Sequence, residues 1–355
     1  MLSYFKRRYK TQNIVKVSKS ALLNNFGLFK ELIPNKEICP VLKGNAYGHG
    51  LVNVAKVIEK ENPAFIVVDS LYEAQKLSKS GVKNKILILG YNFAENLHKG
   101  LPYEFCAGDI DSAKRLAELD LPCHIEIDTG MSRMGFSLEN FTETLSELKK
   151  MGLKINGLFS HFADADNTNN EFTKQQEKSF KSAISETHNA GFKPKWIHLA
   201  NSAGALKTNI KEVNMIRLGF SLYGYSPYSP EDEFFANLKR LKPAIKLYSH
   251  IIACREINPG DKVSYNCTFE AKEKMRIGTI PLGYYEALPR SLSNKGPFLG
   301  RICMNHSVIK IDDHNKIGDE VEIFGDLNEL AKLAGTIPYE LMTRISETLK
   351  REIVD

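Results

Sequence analysis

The chain has 355 residues, 43% of them hydrophobic and 25% charged, with a formal net charge of +6. That balance describes an ordinary folded chain, long enough for one large domain plus a smaller one. The charge is spread out, and its densest run, Phe5 to Lys10 (FKRRYK), is too short to specify nucleic acid or a membrane surface. No apolar run approaches the roughly 18 residues of a membrane span, and the N-terminus lacks the apolar core of a signal peptide, so a cytoplasmic protein is expected. Six cysteines without C-x-x-C pairs read as reduced thiols, and no structural metal is expected.

In chain order, the first helical stretch is SKSALLNNFGLFKEL, with Ser18 or Ser20 as cap and Leu22, Phe26 and Phe29 on one apolar face. Eight runs of strand character then follow: EICPVL, AFIVVD, KILILG, YEFCAG, CHIEID, LKINGLFS, KWIHLA and NMIRLG. Helix-like stretches lie between most of them, one running from about Glu171 to Ala190 and stopping at Gly191. Eight β-α repeats in about 230 residues predict an α/β fold, a closed parallel (β/α)8 barrel of the TIM type over residues 1–235, with its chemistry at the C-terminal strand ends. Beyond residue 236 the runs AIKLYSHIIACREI, DKVSYNCTF, MRIGTIPLGY, GRICMNHSVIKI and DEVEIFG are punctuated by turn residues. They predict a mostly antiparallel β domain over 236–355, with the boundary between Tyr228 and Pro243. The stretch LNELAKLAGTIPYELMTRIS reads as helix, turn and helix.

Lys43 stands at the end of the first barrel strand, in VLKGNAYGHG (41–50). Burial there disfavours the ammonium form, which suits an amine nucleophile or a Schiff-base lysine; a lysine snorkelling to water fits the same position. The loops after strands seven and eight are where such a barrel holds phosphate. NSAG offers the hydroxyl of Ser202, and Gly219 lets the amides of Gly219 and Phe220 approach an anion. A lysine facing two phosphate-ready loops points to pyridoxal phosphate.

Five motifs occur in order: KGNAYGHG (43–50), EIDTGMSRMGF (126–136), SHFADAD (160–166), NSAG with RLG (201–204, 217–219), and VSYNCTF (263–269). On these the chain resembles the fold-type III pyridoxal-phosphate amino-acid racemases, specifically alanine racemases, over nearly its whole length. The resemblance implies that Lys43 is the Schiff-base lysine, Tyr47 a phosphate contact, His161 the imidazole near the cofactor ring and Arg217 the partner of the pyridine nitrogen. It implies cofactor contacts at Asn201, Ser202, Gly219 and Phe220. Tyr265 matches the second catalytic base, contributed by the other subunit of a homodimer. Arg133 and the backbone at Met304 match substrate-carboxylate contacts, and Tyr284 an entrance tyrosine. If the substrate is alanine, the product serves peptidoglycan in a bacterium.

The residue chemistry is consistent with those roles. Racemisation removes a proton from one face of Cα and returns one to the other, so it needs two bases. Lys43 is one; Tyr265, a phenol of ordinary pKa about 10, is the other, with His161 and Arg217 as neighbours to adjust it. Arg217 does not readily surrender a proton, so a pyridine nitrogen beside it stays unprotonated and the cofactor is a weaker electron sink. Taken alone, His161 reads as a core histidine, Arg217 as a structural ion-pair member and Tyr265 as a packing residue; the motifs they stand in reverse each reading.

Alternation puts His124, Glu126 and Asp128 on one strand face. A metal site is conceivable there, but a pair between Glu126 and Arg133 reads better. Many relatives carry a carbamylated lysine at the Glu126 position, and glutamate supplies that negative charge directly. Asn305 stands where the family commonly has aspartate, and Ile353 where a tyrosine near phosphate and substrate is usual. These departures keep racemisation of serine or another small amino acid open. A decarboxylase of the same plan would show an acidic partner for the pyridine nitrogen, where this chain has IRLG. A non-catalytic cofactor carrier would need neither the second domain nor Tyr265.

Overall fold

In the computed structural model, which describes residues 10–355, the chain forms two compact units. One comprises Ser20–Ala46 and Leu51–Pro243; the other comprises residues 10–19, Tyr47–Gly50 and Ala244–Asp355. Phe5–Tyr9 of the basic run lie outside the described residues.

The first unit is the barrel. Its strands are Glu37–Pro40, Ile66–Val68, Ile86–Ile88, Tyr103–Ala107, Cys123–Asp128, Ile155–Phe159, Trp196–His198 and Met215–Leu218. The second through seventh pair in parallel in chain order. The first pairs with the eighth, Arg217 opposite Cys39, and a Val41–Val67 bridge joins it to the second. Backbone bonds from Asn214 to Ile197 and from Arg217 to Ala200 complete the ring. Strands such as IVV and ILI are buried at every residue, which is why they read as continuous apolar runs rather than alternating ones.

Surrounding helices begin where side chains can satisfy their first amides. Ser70 Oγ accepts from Glu73 N–H ahead of Leu71–Lys79, and Asp109 accepts from Ser112 N–H at 2.8 Å ahead of Ile110–Glu118. Helix Lys19–Leu32 starts directly after Ser18 and buries Leu22, Phe26 and Phe29. Helix Glu171–Asn189 is followed by Gly191 at φ +88°, a conformation glycine adopts without steric cost.

The second unit is mostly antiparallel. Ala253–Ile257, Met275–Ile280 and Ser307–Lys310 form one sheet over Ile257, Val263, Ala271, Ile277 and Leu299. The other sheet runs in the order Glu320–Glu322, Ile245–His250, Asn13–Ser18, Lys350–Val354. Sequence alone assigns residues 1–235 to the barrel. Asn13–Ser18 instead pairs antiparallel with Ile245–His250 and parallel with Lys350–Val354. Its six residues carry no local mark of their partners, which lie at the far end of the chain.

The terminal helices are Leu327–Ala334, capped by Asp326, and Pro338–Thr343, with proline in its first turn. All six cysteines are unpaired, and no helix among the described residues is long and apolar enough to cross a membrane.

Candidate active site

Lys43 follows the first barrel strand and opens a left-handed turn: Gly44, Asn45, Ala46 and Tyr47 have φ between 51° and 62°. Left-handed geometry costs a residue with a Cβ about 1–2 kcal/mol, so three such residues in succession are strain held by their surroundings. On the barrel side, Asn45 Oδ1 accepts from Leu51 N–H at 2.9 Å and starts the next helix. Glu73 takes both Asn45 N–H and Asp69 N–H on its two oxygens. Lys43 Nζ lies 3.5 Å from Asp69 Oδ1, and its side chain is 38% exposed. The burial expected of this lysine is therefore incomplete within the chain, because the turn begins beyond the buried strand end.

Arg217 is 2% exposed on the eighth strand. Its Nη1 donates to His198 Nδ1 at 2.6 Å and to His198 O at 3.3 Å. Its Nη2 donates to Ser160 O at 2.8 Å, His161 Nδ1 at 3.0 Å and Leu199 O at 3.2 Å. The Phe159 ring lies 5.4 Å from the guanidinium carbon. No described residue accepts a hydrogen bond from Nε. Burial pulls the guanidinium down to about 10, opposed by Glu126, so it stays charged at neutral pH.

Because arginine only donates, both imidazole Nδ1 atoms must accept, and neutral His161 carries its proton on Nε2. Burial, then Arg217, Arg133 and Lys43, hold His161 well below the ordinary histidine range. Asn201 Nδ2 lies 3.4 Å from that Nε2, two donors facing each other and so no hydrogen bond, while Asn201 Oδ1 accepts from Gly204 N–H at 2.9 Å. Ser202 Oγ accepts from Gly219 N–H at 3.2 Å and Ser221 N–H at 3.3 Å. The Gly219 amide, expected to face an anion, is thus taken by Ser202, whose own hydroxyl proton remains to be donated. Phe220 follows in the short 3-10 turn Phe220–Tyr223.

Arg133 lies in the loop after the fifth strand, which Asp128 organises by accepting from Gly130 and Ser132 N–H. The direct pair expected between Glu126 and Arg133 does not form. Glutamate reaches less far than a lysine-borne carbamate. Its carboxyl, raised by burial and opposed first by Arg217 and then by Arg133, lines a cavity of about 390 Å³ with Leu89, Tyr91, Cys106 and Met134.

The remaining positions lie in the other unit. Tyr47 packs 6.1 Å from the ring of Tyr339, and Arg351 Nε donates to Gly48 O. Tyr265 is 69% exposed on a turn where Ser264, Asn266 and Cys267 all have positive φ. Tyr284 and Met304 are 41% and 55% exposed on segments joined by Tyr284 N–H to Cys303 O and Tyr285 N–H to Met304 O. Asn305 Nδ2 donates to buried Glu286 Oε1 at 2.7 Å, a bond that an ionised aspartate could not donate. Ile353 lies opposite Val17 and is 36% exposed.

Sequence reasoning missed Glu73, Gln176 and His198. Buried Gln176 donates to Thr129 Oγ1 and His161 O and accepts from Ala163 N–H, bracing the two loops that carry Arg133 and His161. Its signal was weak, a polar residue on the buried face of a helix.

Residues 17–227 match the family model of the alanine racemase N-terminal domain, and residues 244–353 that of the C-terminal domain. The chain is 32% identical to alanine racemase of Staphylococcus saprophyticus, over 97% of this chain and 95% of that protein. It is 34% identical to alanine racemase 1 of Clostridium acetobutylicum, over 89% and 88%. Among solved structures, alanine racemase of Clostridium difficile 630 superposes with a TM-score of 0.88 at 30% identity, covering 98% of this chain and 97% of that one. The enzyme of Bacillus anthracis with bound L-Ala-P does so with 0.87 at 29% identity, covering 98% and 96%. With both domains matched in order along nearly the whole chain, this protein belongs to the alanine racemase family of isomerases.

Proposed function

We propose that the chain interconverts L- and D-alanine with pyridoxal phosphate held at Lys43, and that a second copy contributes Tyr265 as the opposing base. The observation that carries this reading is the bonding of Arg217: its Nη atoms are engaged inside the barrel, which leaves the Nε donor for an aromatic nitrogen. Within the barrel unit the donor set fits the cofactor, with Lys43 for its aldehyde, Arg217 Nε for its ring nitrogen and Ser202 for its phosphate; the resemblance adds Tyr47 as a phosphate contact.

When bound, the cofactor supplies a conjugated ring that makes the substrate Cα–H acidic. The Lys43 amine takes the proton from one face of Cα, and the Tyr265 hydroxyl delivers one to the other; the opposite hand exchanges the two roles. Arg133 and the backbone at Met304 hold the substrate carboxylate, so the face presented to each base is fixed. Neutral His161 keeps Nε2–H as a donor for the phenolate left on Tyr265 when it gives up its proton. Arg217, charged and donor-only, leaves the ring nitrogen unprotonated, which limits the electron demand on Cα.

Incubating the holoenzyme with L-alanine in deuterated water tests the reading. Cα-deuterated alanine of both hands is expected. Release of an amine would reassign the chain to decarboxylation, and no exchange would leave a cofactor-binding protein without catalysis.

A further inference from the structure

Beneath Arg217 the barrel interior holds a hydrogen-bond chain that the steps above do not use. His198 Nδ1 accepts from Arg217, His198 Nε2 lies 2.7 Å from His124 Nδ1, and His124 Nε2 lies 3.0 Å from Glu104 Oε2. The same carboxylate oxygen accepts from Asn156 Nδ2 at 3.2 Å. All four members of the chain are buried. Its direction is forced from both ends. The guanidinium can only donate, so His198 Nδ1 carries no proton; the ionised carboxylate can only accept, so His124 Nε2 carries one. Two neutral imidazoles between them have a single arrangement, each with its proton on Nε2.

The packing holds both rings in that alignment. Phe159 stacks on His198 with ring centroids 4.9 Å apart and planes within 3°. Phe65 meets His124 edge-on at 5.7 Å. Gly157, inside the sixth strand, leaves room for the His124 ring: a Cβ there would lie 2.2 Å from Nδ1.

We infer that Glu104 and His124 are positioning residues for Arg217: they fix the proton order so that His198 meets the guanidinium as an acceptor, which holds Nη1 inside the barrel and turns Nε toward the site. The reverse order would set two N–H groups against each other at 2.6 Å. An imidazolium at His198 would do the same. Burial and the charge on Arg217 keep His198 neutral, and burial lowers His124 as well. Without an acceptor on His198, Nη1 would keep only the carbonyl at 3.3 Å.

The proton order can be tested independently of the proposed function, whereas the effect on turnover rests on it. Proton–nitrogen correlation spectra of the full chain carrying ¹⁵N-histidine report each ring's tautomer without turnover. His198 and His124 should both show Nε2–H near neutral pH, and an Nδ1–H or doubly protonated His198 would overturn the inference. Glu104→Leu removes the terminal acceptor and should mix the tautomers of both rings. It should also lower kcat for L-alanine about tenfold with KM within about twofold. Glu104→Gln, whose amide oxygen can accept the same bond, should keep kcat within about threefold. Wild-type tautomers and kcat in Glu104→Leu, or equal losses in the two variants, would refute the role. Should Glu104→Leu not fold, the wild-type spectrum and Glu104→Gln still decide. A wild type with the expected tautomers but no racemisation sinks the proposed function and leaves the proton order standing; racemisation with the opposite order sinks this inference alone.

Discussion

The polar interior of the barrel and the exposed face around Tyr265 solve opposite problems. Arg217, His198 and His124 are fully enclosed, so every donor and acceptor they turn inward has to be matched by the chain itself. Tyr265, Tyr284, Tyr285 and Met304 are 69%, 41%, 57% and 55% exposed; backbone bonds join the Tyr284 and Met304 segments, and Ser264 Oγ, beside Tyr265, donates to Arg301 O. Such a patch marks a surface whose contacts come from outside. One region is complete in a single chain; the other, in the proposed function, is completed by a second copy.

The sharpest way to break that contrast is to disable each region separately. Lys43→Ala and Tyr265→Phe should each lower kcat/KM by about 10²–10⁴-fold, as loss of a proton-transfer group does. Mixed under conditions of subunit exchange, the two variants should recover about a quarter of wild-type activity, since half of the dimers then hold one intact site of two. Exchange shown by mass with no recovered activity would place both bases in one chain.

A second expected effect belongs to the enclosed region alone. Burial lowers His124 and drives His161 and His198 well below the ordinary range, so unfolding in mild acid takes up protons. The stability these groups contribute is present above the unfolded pKa of about 6.5 and is lost as pH falls toward their folded values. Each contributes a slope of up to about 1.4 kcal/mol per pH unit, so urea midpoints should drop steeply from pH 7 to pH 5. Glu126, raised by burial, offsets part of this only near the carboxylate range. Tyr265→Phe should leave the slope unchanged, and a flat profile in the wild type would mean that the imidazoles are not neutral and enclosed.

Asn305→Asp moves the test to the other unit. Asn305 donates to Glu286, which also accepts from Gly283 N–H and is 8% exposed. Aspartate would replace that bond with a second carboxylate, costing about 1–3 kcal/mol at neutral pH. Equal stability of the two proteins at pH 7 would mean that the bond from Asn305 contributes nothing to this segment.

What was legible in the sequence follows the same contrast. Buried parallel strands are apolar on both faces, so runs such as AFIVVD and KILILG betray the barrel without any structure. Lys43, His161 and Arg217 stand in motifs with local order. The chain from His198 through His124 to Glu104 has no such signal: alternation grouped His124 with Glu126 and Asp128 instead, and only barrel closure brings the three together. Gly157 was the available hint, a glycine inside a strand where something approaches closely. The partners of Asn13–Ser18 were equally invisible, since pairing with strands at the other end of the chain leaves no local trace.

The smallest expected effect concerns Ile353, which the sequence resemblance sets at the position of a usual tyrosine. It lies on Lys350–Val354, at the edge of its sheet, opposite Val17 in parallel register, and is 36% exposed. Tyrosine suits a half-exposed strand position as well as isoleucine does, so Ile353→Tyr should change stability by less than about 0.5 kcal/mol. Any larger consequence would come through the substrate. A phenol bordering the side-chain pocket would narrow it, and a hydroxyl or methylene in an apolar pocket is worth about 1–3 kcal/mol of discrimination. If Ile353 borders that pocket, the ratio of kcat/KM for L-alanine over L-serine should rise in Ile353→Tyr while the urea midpoint stays put. An unchanged ratio would remove Ile353 from the pocket, and a basic amino acid turned over faster than alanine by the wild type would overturn the substrate assignment while leaving the two-base chemistry intact.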